Sequence, residues 1–387
     1  MMLRTPRNIQ KMVTALAERV LDLAIAIQQI PAPAFGEGRR AEFVCERFQA
    51  EGLSDVSMDA LGNVYGRLAG KGGRQSLVVS AHLDTVFPEG TPLDLHREAD
   101  KVYGPGLGDN SVGVAGLFGL VWALRQQAEG ADLHTGPHPL AGDVWLVGNV
   151  GEEGLGNLRG MTAVVDRFGE SVLAYIVLEG MALGQVYHRG LSVQRYQIEA
   201  CTAGGHAWVD FGQPSAIHEL AGLITRLYAL PLPNQPRTSM NVGVISGGTS
   251  INTIAAQASC LVDLRSEDQL TLTNLAAQVE GLVEAGNRPG VQFSCEVVGA
   301  RPAGELPLDH PLVRLALHNL EVKGIRPLPN IGSTDANVPL SRGLPAICVG
   351  LTTGGGAHTL EEYINTAPLG LGLSQLLALV DGILQAG

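Results

Sequence analysis

A chain of 387 residues is too long for one ordinary core, so two domains are expected, and 45% apolar with 17% charged residues describes a globular protein with ample material for buried sheets. The formal charge of −12 argues against nucleic acid or an anionic membrane as the main partner. Five cysteines (Cys45, Cys201, Cys260, Cys295, Cys348) are scattered, odd in number and free of C-x-x-C, a pattern of reduced thiols in a cytoplasmic protein and not of a disulfide frame or a thiolate zinc site.

In chain order, the first element is an amphipathic helix, because Met12, Leu16, Val20, Leu23 and Ile27 recur at helical spacing. Glu18, Arg19 and Asp22 interrupt its apolar stretch and no small-residue cleavage site follows, so it does not read as a secretion signal. No apolar stretch approaches the length that spans a bilayer. Three continuous apolar runs, Leu77–Ala81, Val144–Val150 and Val172–Leu178, read as strands covered on both faces. Between the first two, residues 112–127 form a helix opened by Ser111 as a possible N-cap. The segment 128–142 is a polar loop whose His134 and His138 are solvated.

The pattern changes near residue 190. Strand-like runs at 191–200, 260–264 and 291–298 alternate with helical segments at 214–230 and 267–285. The implied β-α-β-β-α-β order describes a two-layer α+β unit with one open sheet face. After residue 303 the earlier alternation resumes, with a helix at 310–322 and a strand at 346–349. The fold class is therefore α/β: a discontinuous domain over 1–189 and 304–387 built on a mixed, mostly parallel sheet flanked by helices, with an α+β insert over 190–303.

Ligands of such sheets collect beyond the carboxyl ends of the strands, and His82, the acids after Val150 and Glu179 lie just past such ends. His82 and Asp84 close the first run, two residues apart and so on one face of an extended chain. A carboxylate beside an imidazole can fix its tautomer, as metal-bound histidines require. Asp109 follows the glycine-rich Tyr103-Gly104-Pro105-Gly106-Leu107-Gly108, whose spacing fits neither a dinucleotide loop nor a Walker loop. Glu152 and Glu153 follow the second run, Glu179 the third, and His358 lies in the late loop Gly354-Gly355-Gly356-Ala357-His358. Histidines and carboxylates without cysteine suit a catalytic Zn²⁺, with other divalent metals possible, and an acid on a tight turn suits a carboxylate shared by two ions.

These motifs, in this order, resemble the dinuclear zinc family of aminoacylase, glutamate carboxypeptidase, tripeptidase and succinyl-diaminopimelate desuccinylase. The resemblance covers nearly the whole chain. It includes Gly204-Gly205-His206-Ala207, Gly247-Gly248-Thr249-Ser250-Ile251-Asn252 and Asp263-Leu264-Arg265 in the insert, and Gly332-Ser333-Thr334-Asp335 after it. It implies a zinc-exopeptidase-like catalytic domain with a ferredoxin-like lid that forms a homodimer. It also implies that His82, Asp109 and Glu179 hold one Zn²⁺ (Co²⁺ or Mn²⁺ as substitutes) and that Asp109, Glu153 and His358 hold the other. Asp84 would orient His82, Glu152 would be the general base, and a cis peptide would follow Asp109. His206 would polarise the scissile carbonyl, and Asn252, Arg265 and Thr334 would contact substrate; as a strand residue Arg265 could equally be a salt-bridge partner.

The activity implied is hydrolysis of an amide bond in an N-acyl amino acid or short peptide. Within the family a Glu at the position of Glu179 leans towards deacylases and carboxypeptidases, with an aminopeptidase or tripeptidase as the alternative. From other classes, a non-catalytic metal-binding scaffold would not need Glu152, and a serine hydrolase would need a G-x-S-x-G elbow that the sequence lacks.

Overall fold

In the computed structural model, which describes residues 6–70, 76–129 and 140–386, the opening helix runs over Pro6–Gln28. Leu16, Val20, Leu23 and Ile27 are buried on its inner face, each worth about 1.5–3 kcal/mol of transfer free energy. His134 and His138, expected in a solvated loop, lie outside the described residues. The chain divides into two compact units, Met1–Arg189 with Gly304–Gly387, and Gly190–Ala303.

The first unit is built on a nine-stranded sheet whose four central strands are parallel. Ser76–His82 lies between Asp143–Asn149 and Tyr175–Leu178, and Ala346–Val349 pairs with the far side of Tyr175–Leu178. Antiparallel strands complete the flanks, Val64–Leu68 and Ser54–Met58 on one side and Gln185–Gly190 on the other. All four residues of Tyr175–Leu178 and all four of Ala346–Val349 are buried, which is why these runs show no polar alternation. Register then gathers the strand ends. His82 pairs with Asn149, and continuing the pairing of Ser80 with Val177 by two residues brings His82 level with Glu179.

Two expectations need correction here. Ser111 does not cap the helix Val112–Glu129; its hydroxyl donates to the Gly106 carbonyl at 2.6 Å, closing the turn that precedes the helix. A stretch of membrane-spanning length does exist among the described residues. The most apolar 18-residue window of Leu107–Gln127 has a mean hydropathy of 1.3, but 94% of that window is buried, as suits the core helix of this unit, so its apolar surface meets protein.

The second unit has a four-stranded antiparallel sheet in the order Thr238–Gly247, Gln257–Ser266, Ser192–Thr202, Val291–Arg301. With the helices Ala216–Tyr228 and Gln269–Glu284, this is the ferredoxin-like arrangement. Alternate residues Tyr196, Ile198, Ala200, Cys260, Val262 and Leu264 pack into one core with Leu220, Leu223, Leu227, Leu275 and Val279 of the helices. The edge strand Thr238–Gly247 was not visible as an apolar run, because a register irregularity between Val242 and Val244 breaks its alternation.

Candidate functional site

The site of the first unit forms where its parallel strands run out. His82 ends one strand and is 1% exposed; its Nδ1 lies 3.0 Å from the Asp84 backbone carbonyl oxygen. A carbonyl only accepts, so in the neutral ring Nδ1 carries the hydrogen and the Nε2 lone pair faces Asp109 and Glu179. Nε2 is 3.1 Å from Asp109 Oδ1 and 3.7 Å from Glu179 Oε2, yet makes no well-directed hydrogen bond. A buried ring nitrogen aimed between two carboxylates without such a bond fits a cation held there.

Asp109 divides its two oxygens between two imidazoles. Oδ1 faces His82, while Oδ2 lies 3.2 Å from His358 Nε2, which is also 3.4 Å from Glu153 Oε1. His82, Asp109 and Glu179 offer ligand atoms within 4.8 Å of one another, and so do Asp109, Glu153 and His358. Geometry also groups Glu152 with His82 and Glu153, so it places both members of the acidic pair at the centre. The peptide between Asp109 and Asn110 is cis.

Electrostatics tell the same story. Hydrogen bonding to Asp109 and then to Glu153 pushes the His358 ring up to about 10. Burial opposes charge on His82, but the Glu179 charge and the contacts to Asp109 and Asp84 leave its pKa well above the ordinary value. Burial pushes the Glu179 carboxyl up to about 7, with His82 partly opposing. Burial of Asp109 is outweighed by His358 and His82, which hold its carboxyl below the usual carboxylate range. Surroundings that raise both imidazoles above their ordinary values favour positive charge, and two divalent cations bound between hard oxygen and imidazole donors would supply it.

Asp84 does more than the sequence indicated. Its carboxylate is 3.6 Å from His82 Nδ1, and the direct bond to the ring comes from its own backbone carbonyl. The carboxylate oxygens instead accept from Glu152 N at 3.0 Å and Glu153 N at 2.7 Å. It therefore ties the His82 turn to the loop that presents the acidic pair.

Three further buried polar residues carry no sequence motif. Asn110 donates to the Leu178 carbonyl at 2.7 Å and accepts from Gly180 N at 3.0 Å, gripping the backbone on both sides of Glu179. Arg40, 1% exposed, donates to the Leu83 carbonyl at 2.8 Å and twice to the Ile30 carbonyl. Glu362 is fully buried against the Asp109 turn. Only their unusual burial distinguishes these residues, and burial is not written in a local pattern.

His206, Asn252 and Arg265 belong to the second unit. His206 is exposed on a two-residue strand, Gly205–His206, paired with Thr253–Ile254, which brings it beside the Asn252 segment. Its Nδ1 lies 3.2 Å from Trp208 N and 3.3 Å from Val209 N. The Asn252 side-chain oxygen accepts from Ser250 Oγ at 3.0 Å. Arg265 is engaged by Asp263 at 2.7 Å, and Asp263 also pairs with Arg195, so the structural alternative describes its present partner. Thr334 belongs to the first unit. It is 9% exposed and its hydroxyl accepts from Ala336 N at 3.2 Å, because it closes the turn leading into the helix Asn337–Ser341.

A family model described as a peptidase dimerisation domain matches residues 203–291, and one described as peptidase family M28 matches residues 63–188. An acetylornithine deacetylase of Pectobacterium atrosepticum is 27% identical over 332 residues, which span 79% of each chain. The chain is similar to the M20 metallopeptidases and deacylases, as its sequence motifs suggested. It is thus a metal-dependent hydrolase of amide bonds. The same fold occurs in a tripeptidase of Staphylococcus aureus (TM-score 0.77, 20% identity, 95% of this chain and 99% of that one). It occurs again in a dipeptidase of Saccharomyces cerevisiae (TM-score 0.78, 13% identity, 98% and 99%).

Proposed function

We propose that this chain is an M20-type hydrolase that removes the acyl group from an N-acyl amino acid, or the terminal residue from a short peptide, with two Zn²⁺ ions as cofactors. The division of the Asp109 carboxylate between His82 and His358 is the observation that carries this reading. His82, Asp109 and Glu179 would hold one ion and Asp109, Glu153 and His358 the other. When bound, such ions supply Lewis-acid polarisation of the scissile carbonyl and acidify water.

The chain's own residues do the remaining work. Glu152 takes a proton from the attacking water and delivers it to the departing nitrogen, the task of a general base that becomes a general acid. Asp84 keeps Glu152 in place through its backbone N–H. His206 is assigned to the carbonyl oxygen, where a donor stabilises developing negative charge, and Asn252 to the substrate beside it. Arg265 would meet a substrate carboxylate only by exchanging Asp263 for it.

The lean towards an N-acyl substrate rests on Glu, and not Asp, at position 179, and on the similarity to a deacetylase of an acylated amino acid. A homodimer formed through Gly190–Ala303 is the proposed assembly, supported by the dimerisation-domain match. A cytoplasmic location is proposed from the five free thiols. The test is a zinc-reconstituted screen of N-acyl amino acids against di- and tripeptides, with Glu152→Gln as control. Release from N-blocked substrates, abolished in the variant while metal content is kept, is the expected outcome. Activity confined to free amino termini would transfer the chain to the aminopeptidase branch, and undiminished turnover in the variant would refute Glu152 as the base.

A further inference from the structure

His358 has the least support of the ligand residues. It is exposed, follows three glycines, and sits at φ 64°, in the left-handed region. A chelating ring on such a loop holds an ion well only if the loop is fixed relative to the other ligands. Four residues later stands Glu362, whose side chain is fully buried. Its Oε1 accepts from Gly108 N at 2.7 Å and from Asp109 N at 2.9 Å, and its Oε2 accepts from Gly106 N at 3.2 Å. Its own carbonyl accepts from Gly104 N at 2.8 Å.

The turn needs those acceptors. Gly106 is left-handed (φ 71°), and Asp109 and Asn110 leave helical geometry, so the amides of Gly106, Gly108 and Asp109 are directed at the Glu362 carboxylate. One side chain thereby fastens the Asp109 turn to the loop that carries His358. Asn110 fastens the opposite side of the same turn to Glu179. Two buried anchors on one turn fix the direction of a carboxylate that faces both metal positions.

We propose that Glu362 is a positioning residue of the metal centre, setting the affinity of the position formed by Asp109, Glu153 and His358 by locking the Asp109 turn to the His358 loop. The proposal rests on the two-metal reading. Its test is titration of the metal-free protein with Co²⁺, followed by visible absorption and by metal content after dialysis. Glu362→Gln keeps the size of the side chain but replaces one accepting oxygen with a donor that faces an N–H. Binding at one of the two positions should weaken by about 10- to 100-fold, as when a group that orients a ligand is lost. Added metal should restore turnover with the substrate KM unchanged. Glu362→Asp, which keeps both oxygens, should fall between the two and serves if the Gln variant does not fold. A folded variant that binds both ions with wild-type affinity would overturn the proposal, even if it melts at a lower temperature. Failure of the wild-type protein to bind two ions would instead remove the two-metal reading beneath it.

Discussion

Replacing Asp84 by Asn exchanges one oxygen for an NH₂ and separates two accounts of this residue. If Asp84 only steadied the His82 ring, Asp84→Asn would be mild, since the ring's direct partner is the Asp84 backbone carbonyl. The structure places the larger burden on the Glu152 and Glu153 amides, each accepted by a different carboxylate oxygen. The Asn side chain has one acceptor and turns an NH₂ towards the other amide. One charge-assisted bond worth about 1.5–3 kcal/mol is lost, a buried N–H is orphaned, and the remaining bond loses its charge. Because Asp84 is fully buried, water cannot step in, and the total comes to about 2–4 kcal/mol. Urea unfolding of the metal-free protein measures it. Trp122 and Trp145 report the first unit, whereas Trp208 is already 86% exposed and changes little. Displacement of Glu152 should also lower kcat by about 10- to 100-fold, since each 1.4 kcal/mol of barrier is tenfold. An unshifted unfolding midpoint together with turnover within a factor of two of wild type would refute the bracing of the acidic pair.

Three other outcomes follow from the same geometry. Gly113→Ala should weaken metal binding about tenfold in a Co²⁺ titration, although Ala gains about 1 kcal/mol of helix propensity, because a Cβ there would overlap the Asn110 side chain that grips the Glu179 backbone. Arg40→Met should cost about 3 kcal/mol in urea unfolding, since it strips buried donors from the Leu83 and Ile30 carbonyls while recovering the cost of burying a guanidinium. In the metal-free protein the His358 pKa is raised from 6.5 to about 10, so its stabilising contribution is complete below about 6.5 and is lost as pH rises through about 10. Metal must displace that proton, so titration calorimetry near pH 8 in buffers of different ionisation enthalpy should detect proton release and an affinity that rises with pH; a buffer-independent enthalpy would contradict it.

The architecture was legible where one physical rule governed a segment. Runs such as 346–349 are apolar without interruption because neighbours cover both faces, and the strand begins and ends where the run does. In the second unit, burial on one face imposes period two on Gln257–Ser266. The strand Thr238–Gly247 escaped because it is an edge strand with a break in register and much of its length exposed, so little burial was available to write a pattern into it. Leu107–Gln127 is as apolar as a membrane helix because it is the centre of a large core, a distinction that depends on what surrounds it and not on its composition.

The metal centre divides along the same line. His82, Asp109, Glu152, Glu153, Glu179 and His358 could be named in advance because coordination demands particular side chains, and parallel strands deliver His82, the acidic pair and Glu179 at their carboxyl ends. Asn110, Glu362 and the carboxylate role of Asp84 could not, since each acts on backbone amides or carbonyls, which every residue carries. Yet these side chains decide whether the ligands converge. Asp84 joins the His82 turn to the Glu152 loop, Asn110 joins the Asp109 turn to the Glu179 strand end, and Glu362 joins that same turn to the His358 loop. With register aligning His82 and Glu179, every ligand segment is tied to another by the pairing of strands or by one buried polar side chain. Loss of a ligand removes one donor atom, whereas loss of a tie misplaces the segments on both of its ends. Substitutions at Asp84, Asn110 and Glu362 should therefore lower metal affinity more than their distance from the ions would suggest, and pairs that share the Asp109 turn, Asn110 with Glu362, should be non-additive in a double-mutant cycle.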